Sequence, residues 1–389
     1  MRRRGEPFSG KTMLDKNKLK ERFLHYFNYQ ISARRWCYVL CITLFLIIGG
    51  AALLVYIVDP CYRYRLPKFY DTVYYEIYST GPRLIKESDY DLFMLGSSMC
   101  RNYFLDDIDR SLGCHSLKFA AAGATAYDLK KFADMAIEAK GEKLKRIVYS
   151  FDIYSLNKTV PHWQNYDYMY RDDHKEDYRY LFARDTYSNM HFLLKRKMRP
   201  KGKRKYQTVK NRMFSTEHEK TVYSHVAVAA SAKRYYGMHH SMTPYRKGSE
   251  ETFAKTLLAL VDKNPGIEFT VFLPPYHIYS YCMSEIFGEA DALIRLRSKV
   301  LCELLKRKNV KLFDFQSVPE YTCDSAYYTD VQHFSSALAR KILTSLATGK
   351  HQLHTEADVL KTEKALRQLI ADHMARYRND VGAATKGKD

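Results

Sequence analysis

Several things this chain lacks narrow its chemistry. Its eight cysteines include no Cys-x-x-Cys pair, and its 14 histidines show no clustered metal-ligand spacing. No metal site is therefore expected, and no cofactor is called for. No internal repeat is visible. Acid is scarce, with 43 Asp and Glu against 63 Lys and Arg and a net charge of +20. Charge is absent altogether from Trp36 to Val58, "WCYVLCITLFLIIGGAALLVYIV". A helix needs about 20 apolar residues to cross the hydrocarbon core of a bilayer, and a buried core helix is more often ~10–14. A cleavable signal peptide would show a shorter apolar region and a small-residue cleavage site. Asp59, Pro60 and a tyrosine-rich stretch follow instead. An uncleaved transmembrane signal anchor over 36–58 is predicted.

The flanking charges orient that span. Residues 16–35 carry Lys16, Lys18, Lys20, Arg22, Arg34 and Arg35, whereas 59–78 carry only Arg63, Arg65 and Lys68. The positive-inside rule places residues 1–35 in the cytoplasm as a basic tail and the rest outside the cell membrane. A positive excess would ordinarily suggest nucleic acid, but a domain beyond the membrane meets anionic polymers and lipid head groups instead. The densest basic run is "KRKMRPKGKRKYQTVKNR", residues 195–212, with no acid in it. Such runs are commonly solvated loops. Read functionally, Lys195, Arg196, Lys197, Arg199, Lys201, Lys203, Arg204 and Lys205 would bind phosphate-rich polymer or membrane lipid. Six cysteines lie outside the span; an even number permits disulfides but does not choose among the pairings.

Residues 59–90 read as an irregular aromatic connector with Pro60, Pro67, Gly81 and Pro82 as breakers. Strands and helices then alternate. Short apolar runs at 91–95, 115–121, 146–152, 267–275 and 310–315 suit strands buried on both faces. Amphipathic patterns at 126–140, 249–263, 290–308 and 335–347 suit helices, the first with Leu129, Phe132, Met135 and Ala136 on one stripe. Ser249 and Ser335 are candidate caps. The alternation predicts an α/β domain, a three-layer doubly wound parallel sheet. Residues 153–248 interrupt it as an insertion. Residues 350–389 read as a C-terminal helix and polar tail.

In such sheets ligands bind beyond the carboxyl ends of the strands. Gly96-Ser97-Ser98 follows the first strand, Gly123 the second, Asp152 the third and Pro274-Pro275-Tyr276 the fourth. Asp330 and His333, in "YYTDVQHFSSALA", follow the fifth. All fall on one rim. A serine hydroxyl is a weak nucleophile until an imidazole takes its proton, and a carboxylate fixes that imidazole's tautomer. Ser98, His333 and Asp330 can fill those three roles, which points to serine-dependent acyl transfer or ester hydrolysis. Each also has a plainer reading: a turn into a helix for Gly-Ser-Ser, a tight turn for Gly123, loop residues before a capped helix for Asp330 and His333. His277 reads as a rim or surface histidine, and Ser97 as a rival nucleophile whose side chain should point away from that of Ser98.

The set of a serine after the first strand, a glycine after the second, a polar residue after the third and a late Asp-x-x-His resembles the SGNH (GDSL-like) hydrolase superfamily. Within it, "DPCYRYRLP", "SDYDLFMLGSSM" and "FLPPYHIY" are similar to membrane-anchored bacterial members related to the DltD and alginate-acetylation families. The resemblance spans residues 59 to about 349 and implies a flavodoxin-like strand order. It also implies Ser98 as nucleophile, His333 as base, Asp330 as orienter, and the N–H groups of Ser98 and Gly123 as oxyanion donors. The family's third-block asparagine, another oxyanion donor, is Asp152 here, and an ionised aspartate cannot donate. The implied function is a serine-dependent O-acyltransferase or esterase acting on acylated or anionic cell-envelope glycopolymer. A membrane-bound O-acyltransferase would be a fitting companion. The alternative is a non-catalytic polymer-binding or scaffold subunit on the same fold.

Overall fold

The computed structural model describes residues 20–21, 33–67, 77–157, 160–198, 221–238 and 247–382. The chain divides into two units at residues 57 and 58. In the first, helix α1 (Ala33–Val58) is long and apolar enough to cross a membrane. It leaves large side chains such as Phe45 and Leu46 exposed.

The second unit is built on one six-stranded sheet in the order β2-β1-β3-β4-β5-β6. Strands β1 (Leu92–Gly96), β2 (Ser116–Ala120), β3 (Arg146–Ser150), β4 (Glu268–Leu273) and β5 (Val310–Asp314) pair in parallel. β1 and β2 are buried along their whole length, as a sheet covered on both faces requires. The order reverses between β1 and β3, the switch point where doubly wound sheets form their ligand crevice. A sixth strand, β6 (Gln352–Leu353), adds antiparallel to β5. Two residues carry no readable period, so the sequence gives no sign of it.

Helices α2 (Ile77–Glu87), α3 (Leu105–Leu112) and α4 (Ala126–Lys140) come first around this sheet. Helices α5 (Asp177–Phe182), α6 (Arg184–Met198) and α7 (His225–Gly237) belong to the insertion. Then follow α8 (Ser249–Phe253), α9 (Ala259–Lys263), α10 (Ile278–Ile286), α11 (Ala290–Leu305), α12 (Pro319–Thr322), α13 (Ser336–Thr348) and α14 (Glu356–Val381). α3 packs on α13, whereas α4 packs on α9 and α8 on α11. Right-handed crossovers put these two groups on opposite faces.

The apolar stripe of α4 is buried as expected, and Thr125 with Asp128 closes a capping box at its start. Ser335 caps α13 by accepting from the N–H of Leu338. Ser249 does not cap its helix: Gly248 does, at φ 95°, a left-handed turn that glycine takes without steric cost. The Ser249 hydroxyl donates to Asn157 instead. One π turn, Ala254–Leu258, joins α8 to α9. Pro82 does not break the connector but sits inside α2. All eight cysteines are free thiols, so the permitted disulfides do not form.

Lys118 lies mid-strand in β2 and is fully buried. Its ammonium donates to the carbonyls of Arg101 (2.8 Å) and Tyr103 (2.6 Å). Burial pushes its amine down to about 7. Those carbonyls belong to the segment directly after the Gly-Ser-Ser turn, so the lysine fixes that segment against the sheet.

Candidate active site

Gly96 ends β1, and the chain turns at once into a short 3-10 helix, Ser98–Cys100. The turn is tight. A Cβ at Gly96 would lie 2.5 Å from the Cys100 sulfur and 2.8 Å from the Ser150 Cβ, so only glycine fits without a shift. Ser97 and Ser98 part company here. Ser97 is buried, accepts from the N–H of Met99 and donates to Asp152 Oδ2 (2.9 Å). Ser98 stays partly exposed, and its Oγ lies 2.9 Å from His333 Nε2. The two hydroxyls thus have separate partners, and only Ser98 faces an imidazole.

His333 and Asp330 come from the loop before α13. Asp330 Oδ2 lies 2.8 Å from His333 Nδ1, while Oδ1 accepts from the backbone N–H groups of Gln332 and His333, each at 2.7 Å. One carboxylate therefore shapes the loop and orients the ring. Burial alone would raise the Asp330 carboxyl, but the His333 bond and charge and the two backbone donors outweigh it and hold it below its ordinary value. The network sets the tautomer: Nδ1–H donates to Asp330, leaving Nε2 as acceptor for the Ser98 proton. The Ser98 N–H has no partner among the described residues, which leaves it available to a developing oxyanion.

Second contacts tie the loop of the base to the turn of the nucleophile. Asn102 Nδ2 donates to the Phe334 carbonyl at 2.6 Å, and the His277 N–H to that of Val331 at 3.1 Å. His277 itself is buried rather than a rim or surface residue. Its Nδ1 accepts from the N–H of Tyr279 and its Nε2 lies 3.0 Å from Ser325 Oγ. Burial pushes it down to about 3, so it stays neutral and structural.

Gly123 adopts φ 63° in the turn closed by the Ala124 N–H on Ala121, after β2. Its conformation meets the tight-turn reading. Asp152, after β3, is buried and accepts three hydrogen bonds, from Ser97 Oγ, Tyr276 O–H and the N–H of Tyr154 (3.0 Å). Burial raises its carboxyl above the ordinary range and the bonded donors oppose that. These contacts make it a brace between the Gly-Ser-Ser turn and Tyr276. Tyr276, named in the sequence only as part of the rim, and Ser97 are the residues it braces.

Of the expected polymer patch, Lys195 is exposed, and Arg196 and Lys197 lie on α6. Arg199, Lys201, Lys203, Arg204 and Lys205 fall outside the described residues. Two contributors were missed in the sequence. Lys118 left a signal, a lone cation in the apolar run "SLKFA"; Asn102 left none.

The fit at Gly96 is directly testable. Gly96→Ala is expected to cost about 1–3 kcal/mol, as overpacking does, and to displace Cys100 within the turn that carries Ser98. Thermal unfolding reads the first effect and ester turnover the second. An unchanged midpoint with full turnover would mean that the turn has room to spare.

No family model matches the chain, and neither curated proteins nor solved structures give a match.

Proposed function

We propose that this chain is a membrane-anchored, serine-dependent O-acyltransferase or esterase of SGNH type, acting on an acylated cell-envelope glycopolymer such as teichoic acid or an exported polysaccharide. The observation that carries the reading is the continuous run Ser98 Oγ, His333, Asp330 at 2.9 and 2.8 Å. In the first step Ser98 Oγ attacks the ester carbonyl while His333 Nε2 takes its proton. The carbonyl oxygen becomes an oxyanion beside the Ser98 N–H. Collapse expels the alcohol, which leaves with the proton from His333, and the acyl group remains on Ser98. In the second step water or a polymer hydroxyl gives its proton to His333 and attacks the acyl-serine, releasing an acid or a new ester.

The polymer class rests on the SGNH resemblance and on the address: α1 as a signal anchor in the cell membrane, its basic N-terminal side cytoplasmic and the catalytic unit outside. The basic stretch from Lys195 onward would hold the anionic chain, and a membrane-bound O-acyltransferase would be the natural acyl supplier. The non-catalytic alternative draws its support from Asp152, an acceptor where the family has an amide donor.

The test supplies full-length protein in detergent micelles with O-acetylated polysaccharide and with D-alanylated teichoic acid, and measures the acid or amino acid released. Wild type is expected to release one of them and Ser98→Ala neither. Equal release by both forms would end the enzyme reading. No release together with polymer binding that survives in Ser98→Ala would favour the scaffold.

A further inference from the structure

A second imidazole–carboxylate pair lies on the rim that carries Ser98, and the proposed chemistry makes no use of it. Asp128, in the first turn of α4, is fully buried and accepts four hydrogen bonds within 3.1 Å. Thr125 gives two, from its N–H and its hydroxyl, each at 2.9 Å, and the Trp163 N–H gives a third at 3.1 Å. The fourth comes from His162 Nδ1 at 2.8 Å. A carboxylate takes hydrogens and gives none, so Nδ1 carries the His162 proton and Nε2 presents a lone pair. The His162 side chain is 38% exposed, and its ring lies against Tyr78 with centroids 5.6 Å apart. Its Nε2 has no partner among the described residues.

The pair adjoins the nucleophile turn. The Ala121 N–H donates to the Gly96 carbonyl at 3.1 Å, the Ala124 N–H closes the next turn on Ala121, and Thr125 then caps α4. A cation completes the set. Lys131 stands three residues beyond Asp128, on the same face of α4. Its ammonium sits over the Trp163 ring, 5.2 Å from the centroid, and 5.8 Å from that of Tyr170. A ring face attracts the charge without neutralising it. Lys130 is paired with Asp134 at 2.6 Å, whereas Lys131 forms no ion pair among the described residues. Trp163 follows His162 directly, so one ring spaces an unneutralised cation from an unused hydrogen-bond acceptor.

We propose that His162 and Lys131 form a subsite for a phosphodiester-linked polyol, His162 Nε2 accepting from a hydroxyl and the Lys131 ammonium meeting the phosphate. The inference deepens the polymer reading above and rests on it. Hydroxyl and phosphate occur together on such a repeat, whereas a neutral glycan offers only the first and polyphosphate only the second. The subsite holds one repeat of the chain while a neighbouring repeat meets Ser98. Asp128 and Trp163 act through the other two, as positioning residues.

The experiment measures binding by full-length Ser98→Ala protein in detergent micelles. Isothermal titration calorimetry compares unacylated poly(glycerol phosphate) with polyphosphate at equal phosphate concentration. No catalysis enters it, so a failure of ester turnover and a failure of the subsite are separate results. Tighter binding of poly(glycerol phosphate) is predicted. Adding His162→Asn should weaken that binding about tenfold, the scale of one hydrogen bond, and leave polyphosphate unchanged. Asparagine can still donate to Asp128 but offers no acceptor where Nε2 stands, so an unchanged thermal midpoint is expected. Adding Lys131→Gln should weaken both polymers. Equal affinity for the two polymers in the Ser98→Ala parent would overturn the subsite, as would undiminished poly(glycerol phosphate) binding in a folded His162→Asn form. Should His162→Asn lower the midpoint, Lys131→Gln decides: weaker binding of both polymers upholds the subsite, and no change in either overturns it.

Discussion

His333→Ala is expected to cut turnover of an activated ester by on the order of 10^6, the scale seen when a serine enzyme loses its base. The size follows from the lack of a substitute. His333 Nε2 is the imidazole within 2.9 Å of Ser98 Oγ. His277, a buried histidine near this loop, is held by Ser325 and Tyr279 and is too weak a base, having been pushed down to about 3. The His333 side chain is 30% exposed, so its truncation leaves a small cavity and the fold should survive. Stopped assays on p-nitrophenyl acetate, with circular dichroism to confirm folding, measure this. A loss of less than tenfold would show that Ser98 is activated by something else, or not at all.

Asp330→Asn should cost about 10^4 in kcat with little change in KM, for a different reason. The amide keeps an oxygen for the N–H groups of Gln332 and His333, so the loop holds its shape. Its NH2 can then face His333 Nδ1, which must accept, and the imidazole is driven to carry its proton on Nε2. A ring protonated there cannot take the Ser98 proton. Asp330→Ala loses the loop bonds as well and should raise KM too. If Asn and Asp enzymes turned over alike, the Asp330–His333 contact would be a loop brace and nothing more.

The parts of the structure that were legible are those governed by strong local rules. Four of the five parallel strands fall inside the short apolar runs and β1 overruns its run by one residue, Gly96, because burial on both faces favours apolar residues; Lys118 in β2 is a buried exception. The helices over 126–140 and 335–347 follow their apolar stripes and caps. Ser98, Asp330 and His333 were readable because the chain order of a doubly wound sheet sends each loop to the same rim. What escaped depends on tertiary partners. Ser97 was a rival nucleophile until Asp152 engaged it. Asp152 could not be placed as acceptor without Tyr276, 124 residues away. Asp59 accepts from the Tyr180 hydroxyl, and nothing within "DPCYRYR" names a tyrosine 121 positions on. His277 looked like a rim residue because its burial comes from contacts with the Ser325 loop.

The central claim is that Ser98, and not its neighbour Ser97, is a nucleophile activated by His333. A fluorophosphonate probe tests it with no knowledge of the natural acyl group, since it phosphonylates an activated serine and stays attached. Full-length protein is treated with the probe and digested, and the modified position is read by tandem mass spectrometry. Stoichiometric label on Ser98 is predicted for wild type, with none in Ser98→Ala or His333→Ala. Ser97→Ala should still be labelled, more slowly, because Asp152 loses one of its donors. Label that persists in Ser98→Ala, or that maps to Ser97, would contradict the account.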